Sequence, residues 1–338
     1  MNRRATLSDI AKIAKVNIST VSRALNNSSD ISLQTKMKIK DIAKQIGYVP
    51  DFTAKALAGK GTKSIGVIVP EISSNYYATM LDCIENELDE KDYSLIVGMA
   101  HHDYQKEIHY LNVFNNRRVD GIILAGSMYS EINKTLDKIR KRNNIPIVLV
   151  HSFISYGDYD YIFVDDIYGV NTAIEYLKEL GHRNIGYIAD ELASRFRIEK
   201  IKNSIFKNGL ILNKEHIKIG KVGFEAGGYQ LMQELLNEKE IPTAVLASYD
   251  YIAIGAMKAL YERGLSVPDD ISIIGYDNIR ESEYLPCPLT TISPPIERMV
   301  KLGVNILHNK IVDKTFNDIQ HVSLKPELIV RNSTAPIK

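Results

Sequence analysis

Thr6-Leu7-Ser8-Asp9-Ile10-Ala11-Lys12-Ile13-Ala14-Lys15-Val16-Asn17-Ile18-Ser19-Thr20-Val21-Ser22-Arg23-Ala24-Leu25-Asn26 carries two short helical patterns separated by a tight connection. Thr6 reads as an N-cap with an acid, Asp9, at the third helical position. Leu7, Ile10, Ala11 and Ala14 then share one side of the first helix. Lys15-Val16 makes the connection and Asn17 caps the second helix, with Val16 and Val21 spaced as a hydrophobic staple. Val21, Ala24 and Leu25 continue the apolar stripe, which leaves Ile18, Ser19, Ser22 and Arg23 facing outward. Asn26-Asn27-Ser28-Ser29-Asp30 is a polar loop. Ser32 caps a third helix with Leu33, Met37, Ile39, Ile42, Ala43 and Ile46 inward, and Gly47 stops it. Two helices joined by a short turn and packed on a third form a helix-turn-helix unit.

Such a unit lays its second helix in the DNA major groove. Arg23 can pair bidentately with guanine, Ile18 can touch a thymine methyl, and Ser19 can bond several bases. Thr20 and Ser22 carry hydroxyls close to the backbone, suited to phosphate. The charge distribution agrees. The whole chain has 42 basic and 41 acidic residues, but residues 1–63 hold twelve basic against four acidic ones. The head is therefore +8, and the remainder must carry −7 of the net +1. A basic segment of this kind serves a polyanion or is a solvated helical face; the small hydroxylated outer surface favours the first.

The run from Thr6 to Asn26 resembles the DNA-binding head of the LacI/GalR family of bacterial transcription repressors. Gly47-Tyr48-Val49-Pro50 with Ala54-Lys55-Ala56-Leu57 resembles that family's hinge. The resemblance implies a DNA-facing set of Thr6, Asn17, Ile18, Ser19, Thr20, Ser22, Arg23 and Asn26, extended by Ala54, Lys55 and Leu57 in the hinge. Residues 51–58 would form one short helix, too short to persist alone in water. The family pairs two such helices in the minor groove, where Leu57 would wedge between base steps and kink the duplex. Two departures are evident. Lys15 stands where the family usually has glycine, and Lys55 replaces an arginine and so gives up its planar fork. Gly59-Lys60-Gly61-Thr62-Lys63-Ser64 lacks phosphate-loop spacing and precedes a strand, so it is set aside.

From residue 64 short apolar runs alternate with helical stretches, the pattern of parallel sheets. Strands are read at 64–69, 93–97, 121–125, 145–150, 161–164, 184–188, 243–247 and 272–275. Helices are read at 77–90, 105–115, 132–142, 168–180, 199–208, 226–237, 253–263 and 296–308. No G-x-G-x-x-G follows a strand, so a dinucleotide fingerprint is absent. Ile65-Gly66-Val67-Ile68-Val69-Pro70, Gly181-His182-Arg183-Asn184-Ile185-Gly186, Val267–Asp277 and Pro288-Leu289-Thr290-Thr291-Ile292 are similar to family motifs. The expected fold class is thus α/β: a three-helix helix-turn-helix head and hinge helix, then a two-lobed body like the type I periplasmic binding proteins. The domains read as a head at 1–50, a hinge and linker at 51–63, and an effector-binding and dimerisation body at 64–338. Lobe 1 takes about 64–163 and 294–322, and lobe 2 about 164–292 and 323–332.

The resemblance also places an effector site in the interlobe cleft. Arg197 matches the family's effector arginine, whose fork suits sugar hydroxyls or a carboxylate. Asp277 matches an acid that accepts ligand hydrogen bonds, and Tyr76 and Tyr77 lie where the family puts aromatics. His151 replaces the usual aspartate with a pH-sensitive group. Tyr249 replaces an asparagine, and Phe224 stands beside Gly223 at a stacking position. The competing readings are core tyrosines and an Arg197 paired to acids near Glu199. Asp250 reads as a helix N-cap.

Other chemistries fail. His101-His102 would point opposite ways in an extended backbone, and Asp158, Asp160, Asp165 and Asp166 read as a solvated loop, not a calcium loop. Two cysteines make no disulfide framework, and no nucleophile elbow is present. No cofactor, metal or catalytic activity is expected. The N-terminus lacks an apolar signal region, and no run suits a membrane span. The expectation is a cytoplasmic homodimer without an assembly tail, bound to a double-stranded DNA operator. Its effector would be a saccharide or sugar phosphate; a phosphoprotein or a purine-type corepressor is the alternative.

Overall fold

The computed structural model describes residues 5–48, 61–151, 158–313, 315–316 and 318–337. They fall into two compact units divided between Thr62 and Lys63. The first contains α1 (Leu7–Ala14), α2 (Ile18–Leu25) and α3 (Leu33–Gln45). A capping box opens α1: Thr6 N–H donates to Asp9 Oδ2 at 2.8 Å, and Asp9 N–H to Thr6 Oγ1 at 3.3 Å. Lys15 ends α1 in the left-handed region, with φ 57°, a conformation that costs a non-glycine residue about 1–2 kcal/mol. Asn17 occupies the N-cap position of α2, but its side chain makes no capping bond. Ile10, Ala11, Ala14, Val21, Ala24, Ile39, Ile42 and Ala43 form the buried core.

Two residues expected in that core are outside it. Leu33 is 75% and Met37 60% exposed. At 100° per residue, Leu33 and Met37 share a face nearly opposite the one defined by Ile39, Ile42 and Ala43. One helix cannot present both faces to the same pair of neighbours.

The second unit alternates strands and helices: β1 (Ser64–Val69), α4 (Asn75–Asp89), β2 (Ser94–Met99), α5 (Tyr104–Arg117), β3 (Gly121–Ala125), α6 (Asn133–Asn143), β4 (Ile147–Val150) and β5 (Asp160–Val164). There follow α7 (Asp166–Glu179), β6 (Ile185–Asp190), α8 (Glu191–Lys207), β7 (Ile217–Gly220), α9 (Phe224–Leu235), β8 (Ala244–Ala247), α10 (Asp250–Glu262) and β9 (Ser272–Tyr276). The chain closes with α11 (Glu281–Tyr284), β10 (Thr290–Ser293), α12 (Ile296–Val312), β11 (His321–Leu324) and β12 (Glu327–Ile329). One six-stranded sheet has the order β11-β5-β4-β3-β1-β2 and is parallel throughout. The other has the order β12-β10-β9-β8-β6-β7, with only β12 antiparallel. The chain passes between the sheets after Val164, after Ser293 and after Leu324. Each sheet has an apolar core on both faces, as parallel sheets require.

Strands β7, β10, β11 and β12 were not among the expected strands. Each is three or four residues long, and β7, β11 and β12 are edge strands with little burial, so no apolar run announces them. Helix α8 starts at Glu191, eight residues before the expected Glu199, because Asp190 Oδ1 caps the Ala193 N–H at 2.7 Å. In α9 and α10 the backbones touch. A Cβ on Gly228 would meet the Ile252 carbonyl oxygen at 2.0 Å, and one on Gly255 the Glu225 carbonyl oxygen at 1.9 Å. That close approach fixes the N-terminal ends of both helices beside each other. Among the described residues no helix is long and apolar enough to cross a membrane.

Candidate functional site

On the head, Asn17, Ile18, Ser19 and Arg23 form an exposed face of α2, with Thr20 and Ser22 half-buried beside them. Arg23 Nη1 is 2.5 Å from Asp30 Oδ2, and both side chains are about half exposed. A hydrogen bond from Ser28 and the charge of Arg23 hold the Asp30 carboxyl below its usual range. Thr6 and Asn26 are engaged locally. The Thr6 hydroxyl donates to Asp9 at 2.7 Å, and Asn26 Nδ2 donates to the Ser22 carbonyl at 2.8 Å. Ala54, Lys55 and Leu57 lie outside the described residues.

In the second unit, a cleft of about 420 Å³ opens between the two sheets. Its walls come from segments just beyond the carboxyl ends of parallel strands, where open α/β sheets hold ligands. Tyr76 and Tyr77 follow β1, His151 follows β4, Arg197 lies on α8 after β6, and Phe224 follows β7. Tyr249 follows β8 and Asp277 follows β9, so all seven expected effector residues line one cleft. Gly126 has φ +72°, and a Cβ there would meet the Tyr77 hydroxyl at 2.6 Å. Tyr76 packs edge-on against Tyr77 and tilts against His151, each at 5.1 Å.

Arg197 is buried, and it pairs with Asp166 and not with the acids near Glu199. Its Nη2 is 3.9 Å from Asp166 Oδ1, its Nη1 donates to the Ser248 carbonyl at 2.5 Å, and its Cζ lies 3.7 Å from the centre of the Tyr276 ring. Asp166 also receives Lys200 Nζ at 3.0 Å and the Tyr276 hydroxyl at 2.7 Å. Burial acts to raise the Asp166 carboxyl, but Arg197, Lys200 and the Tyr276 hydroxyl outweigh it and hold it at about 2. The aspartates read as a solvated loop are therefore not one: Asp160 pairs with Lys310 at 2.8 Å, and Asp166 is this buried counter-ion. Asp277 behaves oppositely. Burial, with Asp166 and Glu71 nearby, lifts its carboxyl to about 7 although Arg197 pulls it back. Its side chain has no hydrogen bond or ion pair among the described residues.

His151 is buried, and burial pushes its imidazole down to about 4. It is neutral at physiological pH, so the pH sensitivity expected there lies in acid. The Tyr249 hydroxyl donates to Asp190 Oδ2 at 2.5 Å and accepts the Phe224 N–H at 2.9 Å. Tyr249, and not Asp250, is the N-cap residue of α10. The buried Asp250 carboxylate instead accepts the Thr291 hydroxyl at 2.6 Å and the Ile279 N–H at 2.9 Å.

Sequence reasoning missed Glu71, His102, Asp190, Arg195 and Lys221, which also line the cleft. His101 and His102 are both left-handed, φ 51° and 55°, not extended, and only His102 lines the cleft. Its buried Nδ1 has no hydrogen-bond partner among the described residues. Asp190 was legible as an N-cap three residues before Ala193. Among the described residues no cluster could hold a metal ion.

Residues 6–51 match the model of the bacterial regulatory proteins of the lacI family, and residues 174–334 match a periplasmic binding protein-like domain. The chain is 34% identical over 335 residues to the HTH-type transcriptional repressor PurR of Erwinia tasmaniensis, covering 98% of this chain and 97% of that one. The chain belongs to the LacI family. Its fold superposes on the lac repressor dimer bound to operator and the anti-inducer ONPF with TM-score 0.87 and 25% identity, covering 98% and 100% of the two chains. A LacI family regulator from Enterococcus faecium with bound ribose gives TM-score 0.71 and 30% identity, covering 81% of this chain and all of that one. This LacI-family protein is therefore a ligand-responsive, DNA-binding transcriptional repressor.

Proposed function

We propose that two copies bind a pseudo-palindromic operator, each placing α2 in one half-site, and that a neutral saccharide in the cleft controls that binding at carbohydrate-utilisation genes. A two-fold dimer requires a two-fold operator. Closing the cleft would change how the inner lobes of two subunits face one another, and so whether the segments around Leu57 can pair. The ligand controls this only through different affinities for the two arrangements.

The charge balance of the cleft supports a neutral ligand over a sugar phosphate. Arg197 is already matched by Asp166, while Asp277, Glu71, Asp190 and Glu191 outnumber Arg195 and Lys221 on the lining. Asp277 lines the cleft without a side-chain partner among the described residues and can donate to or accept from a sugar hydroxyl. A flat purine-type corepressor is the second reading, favoured by the aromatic set Tyr76, Tyr77, Phe196 and Phe224. The reading is tested by thermal shift with neutral saccharides, their phosphates and purine bases, because a ligand of the folded state raises Tm. A neutral sugar should raise Tm in the native chain and not in Asp277→Ala. A rise with phosphates or purines alone contradicts the saccharide reading.

A further inference from the structure

Arg197 lines a second cavity, about 20 Å³, inside the lobe that carries α7 to β10. Its walls are mostly apolar, from Val170, Ala173, Ile201 and Leu246, together with Tyr187, Ser248 and Tyr276. Three polar atoms of its lining residues have no hydrogen-bond partner among the described residues: Arg197 Nε, Tyr187 Oη and Ser248 Oγ. Tyr187, Arg197 and Ser248 are 0%, 6% and 2% exposed. Buried polar atoms are rarely left unpaired, because each then bears its whole desolvation penalty. Three such atoms on residues that line one small space point to a polar occupant.

We infer that this chamber binds one ordered water molecule that joins Arg197 Nε–H to the hydroxyls of Tyr187 and Ser248. A water needs roughly 10–15 Å³ of such volume and two to four polar partners, so the chamber admits a single molecule and offers it three. The water accepts the Nε–H of Arg197 and the hydroxyl proton of Tyr187, and donates to Ser248 Oγ. The remaining guanidinium contacts are already known: Nη1 is held by the Ser248 carbonyl and Nη2 faces Asp166. With Nε anchored too, the arginine is fixed from behind, and its outer N–H groups are presented to the cleft in one orientation. Tyr187 and Ser248 are thus positioning residues for Arg197, whichever ligand the cleft takes.

The test uses the full chain and two variants, Tyr187→Phe and Ser248→Ala, each removing one hydroxyl at nearly constant shape. A crystal structure that resolves ordered solvent should show one water within about 3 Å of all three atoms. The Arg197 Nε–H resonance should exchange slowly with solvent and shift in both variants, while the other arginine Nε–H resonances stay in place. Tyr187→Phe should also lower Tm by a few degrees, since it strands a bound water. An empty chamber, or an Arg197 resonance unmoved in both variants, overturns the inference. So does a raised Tm in Tyr187→Phe, the result of deleting a hydroxyl that had no partner.

Discussion

Arg23 is about half exposed on the outer face of α2, and its only ion-pair partner among the described residues is Asp30. A surface pair of this kind is worth about 0–1 kcal/mol, so exchanging it for a guanine edge costs little. Arg23→Ala should therefore lose about 1–3 kcal/mol at one base pair per half-site. Binding measured across single-base operator variants checks this; equal loss on operator and random DNA contradicts a reading role. A second prediction concerns pH. Folded Asp277 keeps its proton up to about 7, whereas an unfolded aspartate releases it near 3.8. Its contribution to folding is thus a cost that grows as pH rises through that interval. His151 acts in the other direction: the unfolded imidazole takes a proton near 6.5 and the folded one resists to about 4. Its cost grows as pH falls through 6.5 towards 4. Because His151 is common to both chains and cancels in their difference, the Tm of Asp277→Asn relative to the native chain should rise as pH is raised from about 4 towards 7, and a difference that does not change with pH contradicts the assignment. The cleft residues themselves were legible through the family resemblance, which carries them over position by position. Their partners were not: Asp166 lies 31 positions before Arg197, and His102 is aimed by a left-handed backbone that no spacing rule reveals.

Helices α9 and α10 determine whether Phe224 and Tyr249 can meet at one wall of the cleft, with Tyr251 packed against Phe224. Phe224 packs at 6.1 Å from Tyr249 and 5.4 Å from Tyr251, ring centre to ring centre. That geometry depends on glycine at the helix crossing, where a Cβ on Gly255 would sit 1.9 Å from the Glu225 carbonyl oxygen. Gly255→Ala should destabilise the body by about 1–3 kcal/mol by overpacking, despite alanine's higher helix propensity. Thermal unfolding checks this, and an unchanged or raised Tm contradicts backbone-to-backbone packing. Elements of this length were read from periodicity with their ends a few residues off. The larger error was α8, because Ser194-Arg195-Phe196-Arg197 shows no apolar stripe; its buried members include Ser194 and Arg197, which a hydrophobic pattern passes over. The four missed strands are short. Three of them gain their place from a neighbour's edge, and β10 from two neighbours, not from their own residues.

For the whole molecule, near-neutral charge conceals a +8 head and a −7 body. That division was legible in the sequence, and so was the alternation that requires parallel sheets. The three passages between the sheets were legible only through family resemblance, since each is an ordinary strand-to-helix or strand-to-strand junction in composition. The charge division predicts that operator affinity falls steeply with salt as counterions are released from phosphates near the head. Control by the cleft demands more: the effector must bind two lobe arrangements with unequal affinity. The most direct test is operator binding by the full chain at fixed salt, on a pseudo-palindrome selected from random DNA. It is measured with and without a saturating ligand found by thermal shift. The account predicts strong preference for the selected site over random DNA, and a change in operator affinity of about 5- to 150-fold when the ligand binds. Equal affinity with the cleft empty and filled, or no preference for any site, would contradict it.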